Sequence, residues 1–468
     1  MRVTVGATIA VENPTSEVLV WCAKNLRLAN PEYTRKVRMN LWLGDTPATL
    51  PLYEQRGNTL ILPFGLLRTL PDCIVLHMRS IEKAFEPAEP VDYGEPVPLY
   101  PYQEEAVKQV HAAQYEILQS AAGSGKTQMG IALVKQFGRR ALWLTHTHDL
   151  LKQSEERASR YMDAGLIGRI TAGKVSIGTG ITFATIQTMC RLDLSQYKNY
   201  WDVIIVDECH RCAGSPTAVS QFSKVLNSLA ARHKIGLSAT VHRSDGMIEA
   251  TYALLGRVVH EVPEEAIADK IMKVGIRALG TGVPITSACM NSDGTLNYAR
   301  MISYLCENES RNQYIGAWIA ANAGHPSLIL SDRLEHLEAL MNTLPQSMRI
   351  QAAMISGKMT TKKGKAEREQ AIADMRSGRK KYLFATYALA KEGLDIPCLE
   401  RLFMTTPQSD YAVITQSIGR IACTCEGKGE PICYDFVDSI PYLFKCYKKR
   451  CTTYRKNGCF FIEEGEGQ

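Results

Sequence analysis

Nine residues, Gln119-Ser120-Ala121-Ala122-Gly123-Ser124-Gly125-Lys126-Thr127, carry the pattern of a loop that holds phosphate. Glycines let backbone N–H groups converge on phosphate oxygens, and a following helix aims its positive end at them. Gly123, Ser124 and Gly125 would form the cradle, Lys126 would reach the β- and γ-phosphates, and the Thr127 hydroxyl would hold Mg²⁺. The strict pattern wants glycine where this chain has Ser120. A glycine turn that only caps a helix is the plainer alternative, but an apolar run precedes the loop and a helical segment, Gln128 to Phe137, follows it.

A second set of chemical residues lies at Asp207-Glu208-Cys209-His210, directly after the apolar run Val203-Ile204-Ile205-Val206. Such a run reads as a buried parallel strand, and functional residues collect at the carboxyl ends of such strands. Asp207 would hold Mg²⁺ through water and Glu208 would orient or deprotonate the attacking water. Asp-Glu after a strand is also a common helix cap pair. Gln103, 23 positions before Lys126 (126 − 103), offers an amide donor and acceptor that suit an adenine edge. Ser238-Ala239-Thr240 ends another strand, and its hydroxyls could bond the acidic strand and sense the nucleotide. Farther on, Lys391-Glu392-Gly393-Leu394-Asp395 and Gln416-Ser417-Ile418-Gly419-Arg420 supply acids, an amide and a cation. Arg420 would reach the γ-phosphate across a cleft, an arrangement worth about 10³–10⁵ in rate.

The elements that must position these groups alternate. Ala141–Thr145, Ile181–Thr185 and Val203–Val206 read as strands, with a helix over His148–Tyr161, which predicts a doubly wound α/β lobe. A second such pattern follows: helix Arg311–Ala323, strand Ser327–Leu330, helix Arg333–Leu344, then strands Tyr382–Thr386 and Leu402–Thr405. This second lobe carries no phosphate loop. Residues 1–95 show strand-like pieces at Glu17–Trp21 and Asn58–Leu62, and Trp21 and Trp42 are expected to anchor a small α+β core. Phe85–Pro101 is rich in Pro and Glu and reads as a linker. The expected division is 1–95, an accessory domain that selects substrate; 96–265, a lobe with the phosphate loop; 266–440, a second lobe; and 441–468, a basic tail.

With 468 residues the chain exceeds a single core. It has no apolar stretch of membrane-spanning length, and Met1–Val5 alternates like a strand, so a cytosolic protein without a membrane partner is expected. The net charge of +6 suits a polyanionic partner without requiring one. Fourteen cysteines are scattered and lack the paired short knuckles of structural zinc sites, which favours packed thiols over a zinc site. Lys362–Lys381 holds eight cations and three acids, a pattern most often found on a solvated helix face. Lys445–Lys456 holds six cations and no acid. There Phe444, Tyr447, Cys451 and Tyr454 recur at helical spacing as a packing stripe, with the cations on the opposite face, where they could track phosphates.

Taken in order, GSGKT, DECH, SAT, EGLDIP and QSIGR resemble the motif series of superfamily 2 helicases of the DEAD/DEAH-box type. The likeness runs from Leu99 to Asp438. The segment Ser238–Gly246 is similar to the ATPxRxDG stretch of the XPB-like and restriction-translocase branch, and Arg56–Pro63 resembles phage-encoded branch-migrating DNA helicases. The resemblance implies two RecA-like P-loop NTPase lobes, ATP and Mg²⁺ as cofactors, and nucleic acid as partner. Forked or branched DNA is favoured, bound by a monomer or together with replication or recombination proteins. It implies adenine contact by Gln103, hydrolysis by Asp207 and Glu208, coupling by Ser238 and Thr240, and action in the cleft by Gly393 and Asp395. Gln416 and Arg420 would act in trans, and His146, Gln187, Lys358 and Thr386 would face the nucleic acid. Two positions depart from the family. QxxGRxxR ends in an arginine that is usually a transition-state finger, and here that place is Cys423; the arginine of LRPYQ is Tyr100. An RNA helicase, or an ATP-gated clamp with weak hydrolysis, are the alternatives.

Overall fold

The computed structural model describes residues 1–463 apart from 87–88, 122, 240, 242–245, 268–270, 358, 360, 392–393 and 395. The chain divides into two compact units: residues 1–121 with 125–266, and residues 267–468, to which 122–124 group.

In the first unit the apolar runs become an eight-stranded sheet. Its order is Lys174–Ser176, Ile167–Thr171, Ile181–Thr185, Ala141–Thr145, Val203–Asp207, His233–Ser238, Glu116–Gln119 and Val258–Glu261. All pairings are parallel except that of the edge strand Lys174–Ser176. Ala141–Thr145, Ile181–Thr185 and Val203–Asp207 are buried at every position, as strands covered by helices on both faces must be. Parallel register brings Gln119, Ser238, Asp207 and Thr145 to one carboxyl edge.

Residues 1–83 form a five-stranded sheet in the order Glu54–Arg56, Thr59–Pro63, Thr8–Glu12, Arg2–Val5, Ser80–Lys83. Its core is continuous with the larger sheet's helices, since Val5, Ile9, Leu62 and Phe64 pack in one cluster with Ala213, Val219, Met247 and Ala253. Gly65 permits the close approach: a Cβ there would lie 2.3 Å from the Gly256 nitrogen. Two expectations fail in this region. Glu17–Trp21 lies in the helix Ser16–Asn25, where the Thr15 hydroxyl accepts from the Val18 N–H and Val18 and Cys22, four apart, face the core. The β-branched Val18 and Val20 mimic a strand, but the cap and the i,i+4 burial win. Trp42 is 88% exposed and anchors nothing, whereas Trp21 packs against the core.

Lys234 fastens the small sheet from inside. It is wholly buried, donates to the Ala7 and Leu226 carbonyls at 2.7 Å each, and stands 4.7 Å from the Phe64 ring centroid. Burial pulls its ammonium from 10.5 down to about 7. Between those values the unfolded chain binds the extra proton, so stability rises with pH across that window and levels off above it. Melting temperature measured from pH 7 to 10 should show this rise in the native chain and lose it in Lys234→Met; parallel slopes would contradict the assignment.

The second unit is built on a seven-stranded parallel sheet. Its order is Ala352–Ile355, Tyr382–Thr386, Ser327–Ser331, Arg401–Met404, Ile432–Ser439, Gly275–Pro284 and Phe460–Phe461. Residues 441–461 contribute the helix Pro441–Lys456 and the edge strand Phe460–Phe461. The stripe expected on this helix is displaced: Phe444 is 49% exposed, and the buried residues are Leu443, Cys446, Arg450, Thr453 and Tyr454. Arg450, expected on the outer face, is buried because Asp435 is there to neutralise it. Its Nε donates to the Asp435 carboxylate at 2.8 Å, and the Tyr454 hydroxyl donates to the same oxygen at 2.7 Å.

Candidate active site

The phosphate-binding pattern lies between the strand Glu116–Gln119 and the helix Lys126–Phe137. Gly123 and Gly125 have φ of 85° and 83°, a region that penalises any side chain, so both positions call for glycine. Lys126 is nearly buried at the first helical position, and its ammonium donates to the Ala121 carbonyl at 3.2 Å. Thr127 follows in the same first turn. Gln103 is buried with its Oε1 accepting from the Tyr100 N–H at 3.0 Å, while its Nε2 would stand 2.4 Å from a Cβ on Gly125. Its acceptor thus caps its own helix and its donor end lies against the loop.

Asp207 ends its strand inside the protein, 5% exposed. Its carboxyl is pushed up to about 6, chiefly by burial and then by the neighbouring Glu208, with Lys126 and Ser154 opposing. The Ser154 hydroxyl donates to Asp207 at 3.2 Å. Glu208 takes a left-handed conformation, φ 49° and ψ 51°, which costs about 1–3 kcal/mol and persists where the surroundings enforce it. Its carboxylate lies 3.3 Å from His210 Nδ1. The same Nδ1 is 3.0 Å from the Ser238 hydroxyl, so Ser238 meets the acidic strand through His210. A buried carboxylate beside a second acid, a lysine and a glycine turn suits a divalent cation and a polyphosphate: the metal would relieve the acids and the lysine would meet the anion.

His146 directly follows the strand Ala141–Thr145, Gln187 lies in the short helix Ile186–Met189 after the neighbouring strand Ile181–Thr185, and the Gln187 amide donates to the His146 carbonyl at 2.9 Å. Burial, then Arg211 and His210, lower the His146 pKa and so favour the neutral ring. In the second unit, Gln416 and Ser417 are buried on the helix Tyr411–Ala422. Among the described residues, neither Gln416 Oε1 nor Ser417 Oγ has a hydrogen-bond partner. Arg420, half-buried, donates to the Leu394 carbonyl at 3.1 Å. Thr386 ends its strand in register with Ser331. Thr240, Lys358, Gly393 and Asp395 lie outside the described residues.

Sequence reading missed Ser154, His210 and Lys428. The Lys428 ammonium donates to the carbonyls of Pro397, Ile421 and Cys423 at 3.1, 2.7 and 2.6 Å, closing the end of the Tyr411–Ala422 helix. The histidine of DECH was the one legible signal among these, because it is fixed in spacing to the acids.

Residues 96–243 match the family described as Type III restriction enzyme, res subunit, and residues 310–424 match the helicase conserved C-terminal domain. A probable helicase of Escherichia phage T5 is 25% identical over 73% of this chain and 72% of its own length. A putative ATP-dependent RNA helicase of Acanthamoeba polyphaga mimivirus is 25% identical over 88% and 78%. The DNA 3'-5' translocase XPB2 of Sulfurisphaera tokodaii is 25% identical over 73% and 84%. In fold, the S. cerevisiae Dbp5 structure with RNA and ADP BeF3 is similar at TM-score 0.53 and 17% identity, over 78% of this chain and 94% of that one. Each unit's parallel sheet is accordingly a RecA-like lobe.

Proposed function

The chain belongs to the superfamily 2 helicases, and from that premise we propose a DNA translocase that unwinds or branch-migrates forked and branched structures. The supporting observation is buried Asp207 with half-buried Glu208 beside it at the carboxyl edge of a parallel sheet, and buried Lys126 directly after a two-glycine turn. Bound Mg²⁺-ATP would supply a polarised γ-phosphoryl group for transfer to water. In this reading Gly123, Ser124, Gly125 and Lys126 bind the phosphates, Thr127 and Asp207 hold the metal, and Gln103 meets the adenine. Glu208 accepts the proton of the attacking water, and His210 holds both Glu208 and Ser238, so that the acid and the strand-end hydroxyl respond together. Gln416 and Arg420 of the second lobe act on the same nucleotide, and Gly393 and Asp395 accompany them. His146, Gln187, Lys358 and Thr386 contact the nucleic acid, His146 as a hydrogen-bonding group.

DNA is favoured over RNA by the restriction-enzyme family matched across the first lobe and by the translocase relative. An RNA helicase is the competing reading, carried by the mimivirus relative. A weakly hydrolysing clamp is the other, carried by Cys423 where the family has an arginine.

The test is ATP turnover across forked DNA, duplex DNA, single strands and RNA, with Lys126→Ala as control. Forked or branched DNA should stimulate most, and stronger stimulation by RNA would overturn the DNA assignment. Lys126→Ala removes a charged hydrogen-bond donor, so nucleotide affinity should fall by about 1.5–3 kcal/mol, roughly 10- to 150-fold. Unchanged affinity by fluorescent-nucleotide titration would exclude this loop as the phosphate site.

A further inference from the structure

The helix Pro441–Lys456 spends one face on packing and leaves the other without an evident use. Its buried side is Leu443, Cys446, Arg450 and Tyr454, while Tyr442, Lys445, Lys448 and Lys449 are exposed. A solvated charged face normally mixes signs so that residues three and four apart pair. Here Lys445 stands three and four residues from Lys448 and Lys449, and no acid occurs from 445 to 456. The outer face therefore repels itself, and a polyanion is the partner that would compensate it.

Aromatic rings stand on the same surface. Tyr442 and Tyr298, from different helices, are 46% and 48% exposed and meet edge to face with centroids 6.1 Å apart. Phe444 is 49% exposed under the Lys448 ammonium, 5.2 Å from its ring centroid. Both tyrosines lie at the carboxyl edge of the second sheet, where parallel α/β lobes bind ligands. Tyr442 is in the first turn after the strand Ile432–Ser439. Asp332, at the end of Ser327–Ser331, is within electrostatic reach of Tyr298, and exposed Arg333 follows it. Thr386, assigned above to the nucleic acid, is the register partner of Ser331 on that edge.

We propose that the outer face of this helix, together with Tyr298, is a contact surface for a single nucleic-acid strand, with Lys445, Lys448 and Lys449 on phosphates and Tyr298 and Tyr442 against bases. Such a surface combines the two recognition elements of sequence-tolerant strand binding, cations along the backbone and ring faces for any base. It extends the grip of the second lobe beyond Thr386 and rests on the nucleic-acid reading given above.

The test uses the full chain and a fluorescein-labelled oligothymidine, with binding followed by anisotropy over a series of KCl concentrations. Three lost phosphate contacts should reduce the slope of log K against log salt by about 2 in K445Q/K448Q/K449Q. Tyr298→Leu with Tyr442→Leu should weaken binding roughly tenfold or more with the slope unchanged. ATP turnover without nucleic acid should stay at the native level in both variants, which also shows that they fold. A native slope in the triple variant, with native protein that binds and is stimulated by nucleic acid, overturns this surface alone. If the slope changes only with duplex DNA, the single-strand assignment is wrong. If the native chain binds no nucleic acid, the translocase reading falls and this surface falls with it.

Discussion

Arg420→Ala is expected to lower the rate of ATP turnover by about 10³–10⁵, the range for an arginine that neutralises charge developing on a transferring phosphoryl group. Its guanidinium is held by the Leu394 carbonyl at 3.1 Å on a helix that the Asp410 side chain caps at the Val413 N–H. The neighbouring position that could share the load is Cys423, which carries no cation. Lys428, the nearest substitute in sequence, is spent on three backbone carbonyls. Phosphate release under saturating ATP and nucleic acid measures the effect, and nucleotide affinity should change far less than the rate. A loss below tenfold would make Arg420 a structural residue of its helix. Cys423→Arg belongs in the same series: faster turnover identifies the missing arginine as a brake, and an unchanged rate removes the case for a weakly hydrolysing clamp.

Glu208→Gln comes next, with an expected loss of about 10²–10⁴ in turnover, the usual worth of a positioned general base. The amide keeps the shape and can still meet His210, so nucleotide should bind and remain unhydrolysed. Asp207 separates binding from chemistry in the opposite sense. Buried and beside Lys126, it should affect magnesium-dependent nucleotide affinity before it affects the rate. Parallel titrations with a fluorescent nucleotide and assays of phosphate release distinguish the two. If Glu208→Gln weakened binding as much as turnover, Glu208 would be a structural partner of His210 and the base would have to be sought elsewhere.

Much of this molecule is legible without coordinates because its information is local. A phosphate loop is nine consecutive residues whose glycines and lysine act within one turn of chain. Val203–Asp207 announces a buried parallel strand by an unbroken apolar run and places its acids at the end by simple succession. The second lobe is legible for the same reason, and so are Gln416 and Arg420, four apart on one helix. What the tertiary structure alone decided is which side chains lose water, since that depends on partners far away in the chain. Glu17–Trp21 looks like a strand until Thr15 caps the helix that holds it and a distant core accepts Val18 and Cys22. Arg450 reads as an exposed cation until Asp435 from a neighbouring strand neutralises it. Nothing in its own segment marks Lys234 for burial until the Ala7 carbonyl, 227 residues away, accepts a hydrogen bond from it. Periodicity and spacing follow from backbone geometry, which every short segment carries with it. Burial of a charge is set by the whole fold, and no segment carries that alone.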